Sequence, residues 1–94
     1  MQGNKEKNLI VELSFEFALK IIKYVEVLEQ DKKFVIARQL LRSGTSIGAN
    51  IREAQNAESK PDFIHKMKVA CKEADETEYW FNALQQIREI SKLR

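Results

Sequence analysis

Between Phe63 and Leu84, the residues Phe63, Met67, Ala70, Ala74, Thr77, Phe81 and Leu84 recur at spacings of four and three without a slip. Over three heptads that pattern fits one face of a long α-helix lying along another helix. The middle of the seam is small (Ala70, Ala74, Thr77), so a partner helix can sit close. The helix is predicted from about Lys60 to about Ser91. Its start is the clearest boundary in the chain. Ser59 is placed to cap it, Pro61 falls in the first turn, and Asp62 can reach back toward the cap. The acid also suits the positive end of the helix dipole. A second apolar row, Trp80, Ala83, Ile87 and Ile90, appears late and requires a second neighbour.

Two further helices precede this one. From about Leu9 to Glu29, the residues Ile10, Leu13, Phe17, Ile21, Tyr24 and Leu28 form one row. Phe15, Ala18, Ile22 and Val25 form another beside it. The combined arc is wider than one seam needs. Either this helix is central to its own bundle, or one row serves the bundle and the other a second subunit. Gln30-Asp31-Lys32-Lys33 is a link short enough to join antiparallel neighbours. The next helix is predicted from about Phe34 to Ala57 on the stripe Ile36, Leu40, Ser43, Ile47, Ile51 and Ala54. It runs through Gly44 and Gly48, each costing about 1 kcal/mol against Ala in a helix. Close packing against a neighbour, with Gly44 and Gly48 against the small seam residues Ala70 and Ala74, offsets that cost. The rival reading is a turn or a phosphate-cradling loop at Ser43-Gly44-Thr45-Ser46, but the Gly-Lys-Ser/Thr ending of a P-loop is absent.

Ninety-four residues make one domain, 1–94, with residues 1–8 a polar, flexible leader. A chain this short buries about 60–65% of its unfolded surface, so association with other chains is an expected supplement. One cysteine (Cys71) and one histidine (His65) exclude an intrachain disulfide and argue against a metal site. No apolar run approaches the roughly 20 residues that span a bilayer. The leader lacks the apolar centre of a signal peptide. The expected setting is therefore cytoplasmic and soluble, away from the membrane. Cys71 borders the seam and reads as a small buried hydrophobe, and His65 as an outer-face residue. No nucleophile, acid/base pair or cofactor motif is visible, so no catalytic residue is assigned and an enzyme is not expected.

Two polar constellations remain. Glu78 lies beside the seam, where a carboxylate needs a partner. Arg42 is expected to pair with Glu78 or Glu53, within the chain or across a subunit boundary, as a structural ion pair. Arg38, Arg42 and Arg52 lie on one broad face of the second helix, and Lys60, Lys66, Lys68 and Lys72 follow in sequence. They are the candidate surface for the phosphates of RNA or DNA. A solvated helix face competes with that reading, because Glu73, Asp75 and Glu76 dilute the charge and the net charge is only +2. Trp80 and Tyr79 have rings that stack on bases, although Trp80 at apolar spacing is more often core.

The set Arg42-Ser43-x-Thr45-Ser46-Ile47-x-Ala49-Asn50-Ile51-x-Glu53-Ala54, then Ser59-x-x-Asp62-Phe63-x-x-Lys66, then Ala70-x-Lys72-Glu73-Ala74-x-Glu76-Thr77-Glu78-x-Trp80, resembles the bacterial four helix bundle protein family. That family includes proteins encoded in 23S rRNA intervening sequences and accessory variability proteins of diversity-generating retroelements. The resemblance covers about Phe15 to Leu84. It implies an all-α, antiparallel up-and-down bundle assembling into a homopentamer. For the retroelement members it implies binding to nucleic acid and to a reverse transcriptase. The family has a fourth helix after the third. Here the fourth helix is expected to be absent or truncated, or the late apolar row is left to another chain. The function expected is a non-enzymatic homo-oligomeric bundle that binds nucleic acid through basic helix faces. The alternative is a structural module for protein–protein interaction with no nucleic-acid binding.

Overall fold

A computed structural model describes residues 8–93. Three helices form: α1 (Leu9–Gln30), α2 (Phe34–Ala54) and α3 (Lys60–Lys92). The leader lies outside the described residues except for Asn8, whose Nδ2 donates to Gln55 Oε1 at 2.8 Å. The start of α3 is built as its sequence implies. The Asp62 N–H donates to Ser59 Oγ at 3.2 Å, and Asp62 Oδ2 accepts from the Glu58 N–H. Helix α2 ends at Ala54 rather than Ala57, because the N–H groups of Asn56 and Ala57 close tight turns onto Glu53 and Ala54.

The helices alternate in direction, and α2 is the shared element. Both α1 and α3 pack along α2, while their own backbones stay apart. They meet through side chains: the rings of Tyr24 and Phe81 stand 5.8 Å apart. The result is elongated, 56 × 23 × 17 Å, with a radius of gyration of 15.9 Å. A compact globule of this length would have about 12 Å. The core is correspondingly thin. Its main cluster comprises Ile21, Val25, Leu28, Ala37, Leu40 and Leu84, with Tyr24, Ile36 and Trp80 against it, and Ile51, Ala54 and Ala70 are buried beyond it.

Helix α2 passes unbroken through Gly44 and Gly48, and neither glycine has a positive φ. Their purpose is spatial, and the neighbour is α1 rather than α3. A Cβ on Gly44 would stand 2.8 Å from Ile21 Cγ1, and one on Gly48 would stand 3.1 Å from the Ser14 carbonyl oxygen. The expected fit of these glycines to Ala70 and Ala74 is therefore corrected. Ala70 is buried, but Ala74 is exposed because it sits off the line of contact, on the flank of α3 turned toward α1. Ser43 makes the approach to α3 instead: its Oγ lies 2.9 Å from Thr77 Oγ1, which also lies 2.8 Å from the Glu73 carbonyl oxygen.

The two rows of α1 resolve in a way the sequence did not separate. Helix α2 lies over the line between them, so Ser14, Ile21, Val25 and Leu28 are buried. Ile10, Leu13 and Phe17 stay exposed on one flank, and Phe15 and Ile22 on the other.

Candidate interaction surface

The polar residues of α2 are largely occupied by their own helix. Thr45 Oγ1 donates to the Leu41 carbonyl, Ser46 Oγ to the Arg42 carbonyl and Asn50 Nδ2 to the Ser46 carbonyl, at 2.7, 2.7 and 2.9 Å. Such back-bonding lets a polar side chain sit in a helix without an outside partner. It leaves no cradle of free backbone donors there.

Arg42 reaches α3, but not the expected acids. It pairs with Glu73 at 3.2 Å and with Glu76, and Glu76 also accepts from the Trp80 indole N–H at 3.0 Å. The antiparallel register set by Ser43 and Thr77 brings Glu73 and Glu76 beside Arg42. Glu78 is carried round to an exposed flank of α3 and has no ion pair among the described residues. Glu53 stands about 16 Å further along α2 and pairs with Lys66 at 3.0 Å. That hydrogen bond, with the Glu53 charge, raises the Lys66 pKa above its ordinary 10.5. Any stabilisation from this pair is full below the ordinary value and lost as pH rises through the raised one. A nitrogen-detected NMR titration of Lys66 is expected to show a midpoint above the ordinary lysine value of 10.5, and Glu53→Gln to lower that midpoint. Cys71 is exposed, contrary to the sequence expectation, because it lies off the seam on a flank of α3 that nothing covers.

The seven basic candidates are not gathered onto one surface. Arg42 and Lys66 are neutralised by the pairs above. Arg38 is exposed on the side of α2 away from α3. Arg52 lies over the Phe15 ring, 5.9 Å from its centroid, a cation–π contact. Lys60, Lys68 and Lys72 are exposed on α3, and the helical repeat aims Lys68 and Lys72 away from α2.

The apolar surface is the larger signal. The Tyr24–Phe81 contact fixes which flank of α1 faces which flank of α3. On those flanks lie Ile10, Leu13 and Phe17 of α1 and Phe63 and Phe81 of α3, exposed by between 36% and 51%. They form the walls of an open groove between two helices that run in the same direction. A second concavity, of about 250 Å³, lies on the other side of α1, where Phe15, Ala18 and Ile22 meet Thr45, Gly48 and Arg52. Isolated exposed apolar residues are ordinary, but contiguous rows on a folded scaffold mark surfaces that other molecules cover. Sequence periodicity found these residues. It did not show that they are left open, because that depends on where α2 sits.

These features define an all-α helical bundle in which α2 is packed by a helix on two sides, while α1 and α3 each keep an exposed apolar flank. The chain belongs to the 23S rRNA-intervening sequence protein family, whose model matches residues 6–93. Among solved structures it is similar to a protein of unknown function from the S23 ribosomal protein family of Bacteroides thetaiotaomicron. The two share 51% sequence identity with a TM-score of 0.81, over 83% of this chain and 73% of that one. No curated protein matches the chain. Among the described residues, no helix is long and apolar enough to cross a membrane.

Proposed function

We propose that the chain is a non-enzymatic, self-associating helical module. The observation that carries this reading is the open groove walled by Ile10, Leu13, Phe17, Phe63 and Phe81. Burying an apolar side chain of that size from water is worth about 1.5–3 kcal/mol. A row of half-exposed ones is therefore a strong drive toward contact with a second apolar helix face. Self-association also supplements a thin core in a chain of 94 residues.

Size-exclusion chromatography with light scattering tests this. The full chain is expected to run as an oligomer, and the double variant Leu13→Asp/Phe17→Asp as a smaller species with unchanged helical circular dichroism. Leu13 is 51% and Phe17 36% exposed in the single chain, so the circular dichroism of the variant separates lost association from lost packing. A wild-type monomer at about 100 μM, or an oligomer untouched by the double variant, counts against the reading.

Binding to RNA or DNA is the second reading. Its support is that Arg38, Lys60, Lys68 and Lys72 are exposed with no ion pair among the described residues. An assembly would repeat those charges around its symmetry axis. Adding a mixed RNA pool to the same chromatography separates the readings, since retention by RNA would fall steeply with salt.

A further inference from the structure

The turn from α1 to α2 carries a feature apart from the α1–α3 groove. Lys32 adopts a left-handed backbone, φ 63. Its N–H bonds to the Glu29 carbonyl, and that of Lys33 to the Leu28 carbonyl. These bonds close α1 and leave Lys33 at the cap position of α2 with no side-chain acceptor to offer. The first backbone bond of α2 runs from the Ala37 N–H to the Lys33 carbonyl. The N–H groups of Phe34, Val35 and Ile36 are therefore without helical acceptors. No acidic residue stands in that first turn. Neither Lys32 nor Lys33 has an ion pair among the described residues. Two cations thus sit at the end of a helix that itself favours negative charge.

An apolar surface adjoins them. Lys32, Lys33, Val35, Ile36, Trp80 and Ile87 line a shallow concavity of about 480 Å³ with no carboxylate in its wall. Val35 is 73% exposed. The Trp80 indole N–H is already taken by Glu76, so the ring offers apolar surface rather than a donor. Lys33 and Ile87 also border a neighbouring concavity with Tyr24, Leu28 and Asp31, while none of Ile10, Leu13, Phe17, Phe63 and Phe81 lines the patch.

We propose that this patch docks an acidic amphipathic segment of a partner protein. An apolar side chain of the segment seats against Trp80 and Ile87. Its carboxylates lie on Lys32, Lys33 and the free N–H groups that open α2. Charge complementarity selects the occupant: an apolar floor with two unpaired cations on one edge matches a helix face carrying leucines beside glutamates. Phe34 and Trp80 supply two rings to the wall, but nucleic acid fits less well, because the two cations do not form a track for successive phosphates. The inference does not depend on the self-association proposed above.

Trp80 is the only tryptophan in the chain, so its fluorescence reports on the site directly. The probe is a short amidated peptide with Leu and Glu at helical spacing, free of aromatic residues. It is expected to shift Trp80 emission saturably. Lys32→Glu/Lys33→Glu is expected to weaken binding about tenfold or more, and Val35→Asp, at an exposed position, to weaken it as well. Lys68→Glu is expected to leave it unchanged. Several results overturn the proposal. One is no saturable response up to about 1 mM peptide. Others are an equal response to the Leu/Lys version of the peptide, or full binding in the Lys32→Glu/Lys33→Glu variant. A response to oligouridylate but not to the Leu/Glu peptide assigns the patch to nucleic acid. A fall in the chain's own oligomeric size on Val35→Asp assigns it to a second copy.

Discussion

Leu40→Ala is expected to lower stability by about 2–5 kcal/mol, the range for truncating a fully buried leucine. Leu40 is 0% exposed and sits on α2 where the side chains of α1 and α3 close over it. Few large side chains share that position. Of the core cluster, only Ile21, Val25, Leu28, Leu40 and Leu84 are aliphatic residues larger than alanine. Among the described residues few large side chains surround Leu40, so the cavity has little material to collapse into it. A domain of this length has about 5–14 kcal/mol in total, so the loss is a large fraction. In urea, with a slope of about 1.5 kcal/mol per molar, a 3 kcal/mol loss moves the midpoint by about 2 M. Variant and parent must be compared at one protein concentration, because association adds to apparent stability. Leu40→Met, which conserves volume, is expected to cost less than about 1.5 kcal/mol. A midpoint shift below about 0.5 M for Leu40→Ala would mean that the core is not centred on α2.

Gly44→Ala and Gly48→Ala are expected to destabilise, against the rule for helix interiors. Helix propensity alone favours Ala over Gly by about 1 kcal/mol, so at an open position each change would stabilise. Here the added Cβ meets α1. At Gly44 it would stand 2.8 and 2.9 Å from Ile21 Cγ1 and Cγ2, and Ile21 is itself buried and β-branched. A side chain so placed has few rotamers to retreat into. At Gly48 the obstacle is the Ser14 backbone, 3.1 and 3.2 Å away, so relief requires α1 itself to move. Overpacking of this kind costs about 1–3 kcal/mol. That equals or exceeds the propensity gain, leaving a net loss of up to about 2 kcal/mol at each site. A double-mutant cycle separates the two effects. In an Ile21→Ala background, the Gly44→Ala clash has no partner and the propensity gain should emerge, giving a coupling of about 1 kcal/mol or more. Stabilisation by Gly44→Ala in the parent chain would show that α1 and α2 are further apart than described.

The glycines show where sequence reading reached its limit. The stripe Ile36, Leu40, Ser43, Ile47, Ile51 made a continuous helix through Gly44 and Gly48 the better reading, and small residues implied a close neighbour. Which neighbour was not legible. The small residues Ala70 and Ala74 pointed to α3, but Ser14 on α1 is small as well, and periodicity gives a face but not the helix set against it. The acids around Arg42 repeat the lesson. Glu53, Glu73, Glu76 and Glu78 all stand on nearby helix faces, and only the register between α2 and α3 picks Glu73 and Glu76. The basic candidates were close in sequence, but α2 and α3 aim them in different directions.

Sequence alone determined the element order, the start of α3 at Ser59 and Asp62, and the apolar rows of each helix, because these depend on spacing and capping within about one turn. The tertiary structure decided which rows are covered. Helix α2 lies between the two rows of α1, so it buries Ser14, Ile21, Val25 and Leu28 and leaves Ile10, Leu13 and Phe17 in the open. That choice is made by close contact at Gly44 and Gly48, and a helix's own periodicity carries no record of where its partner lies.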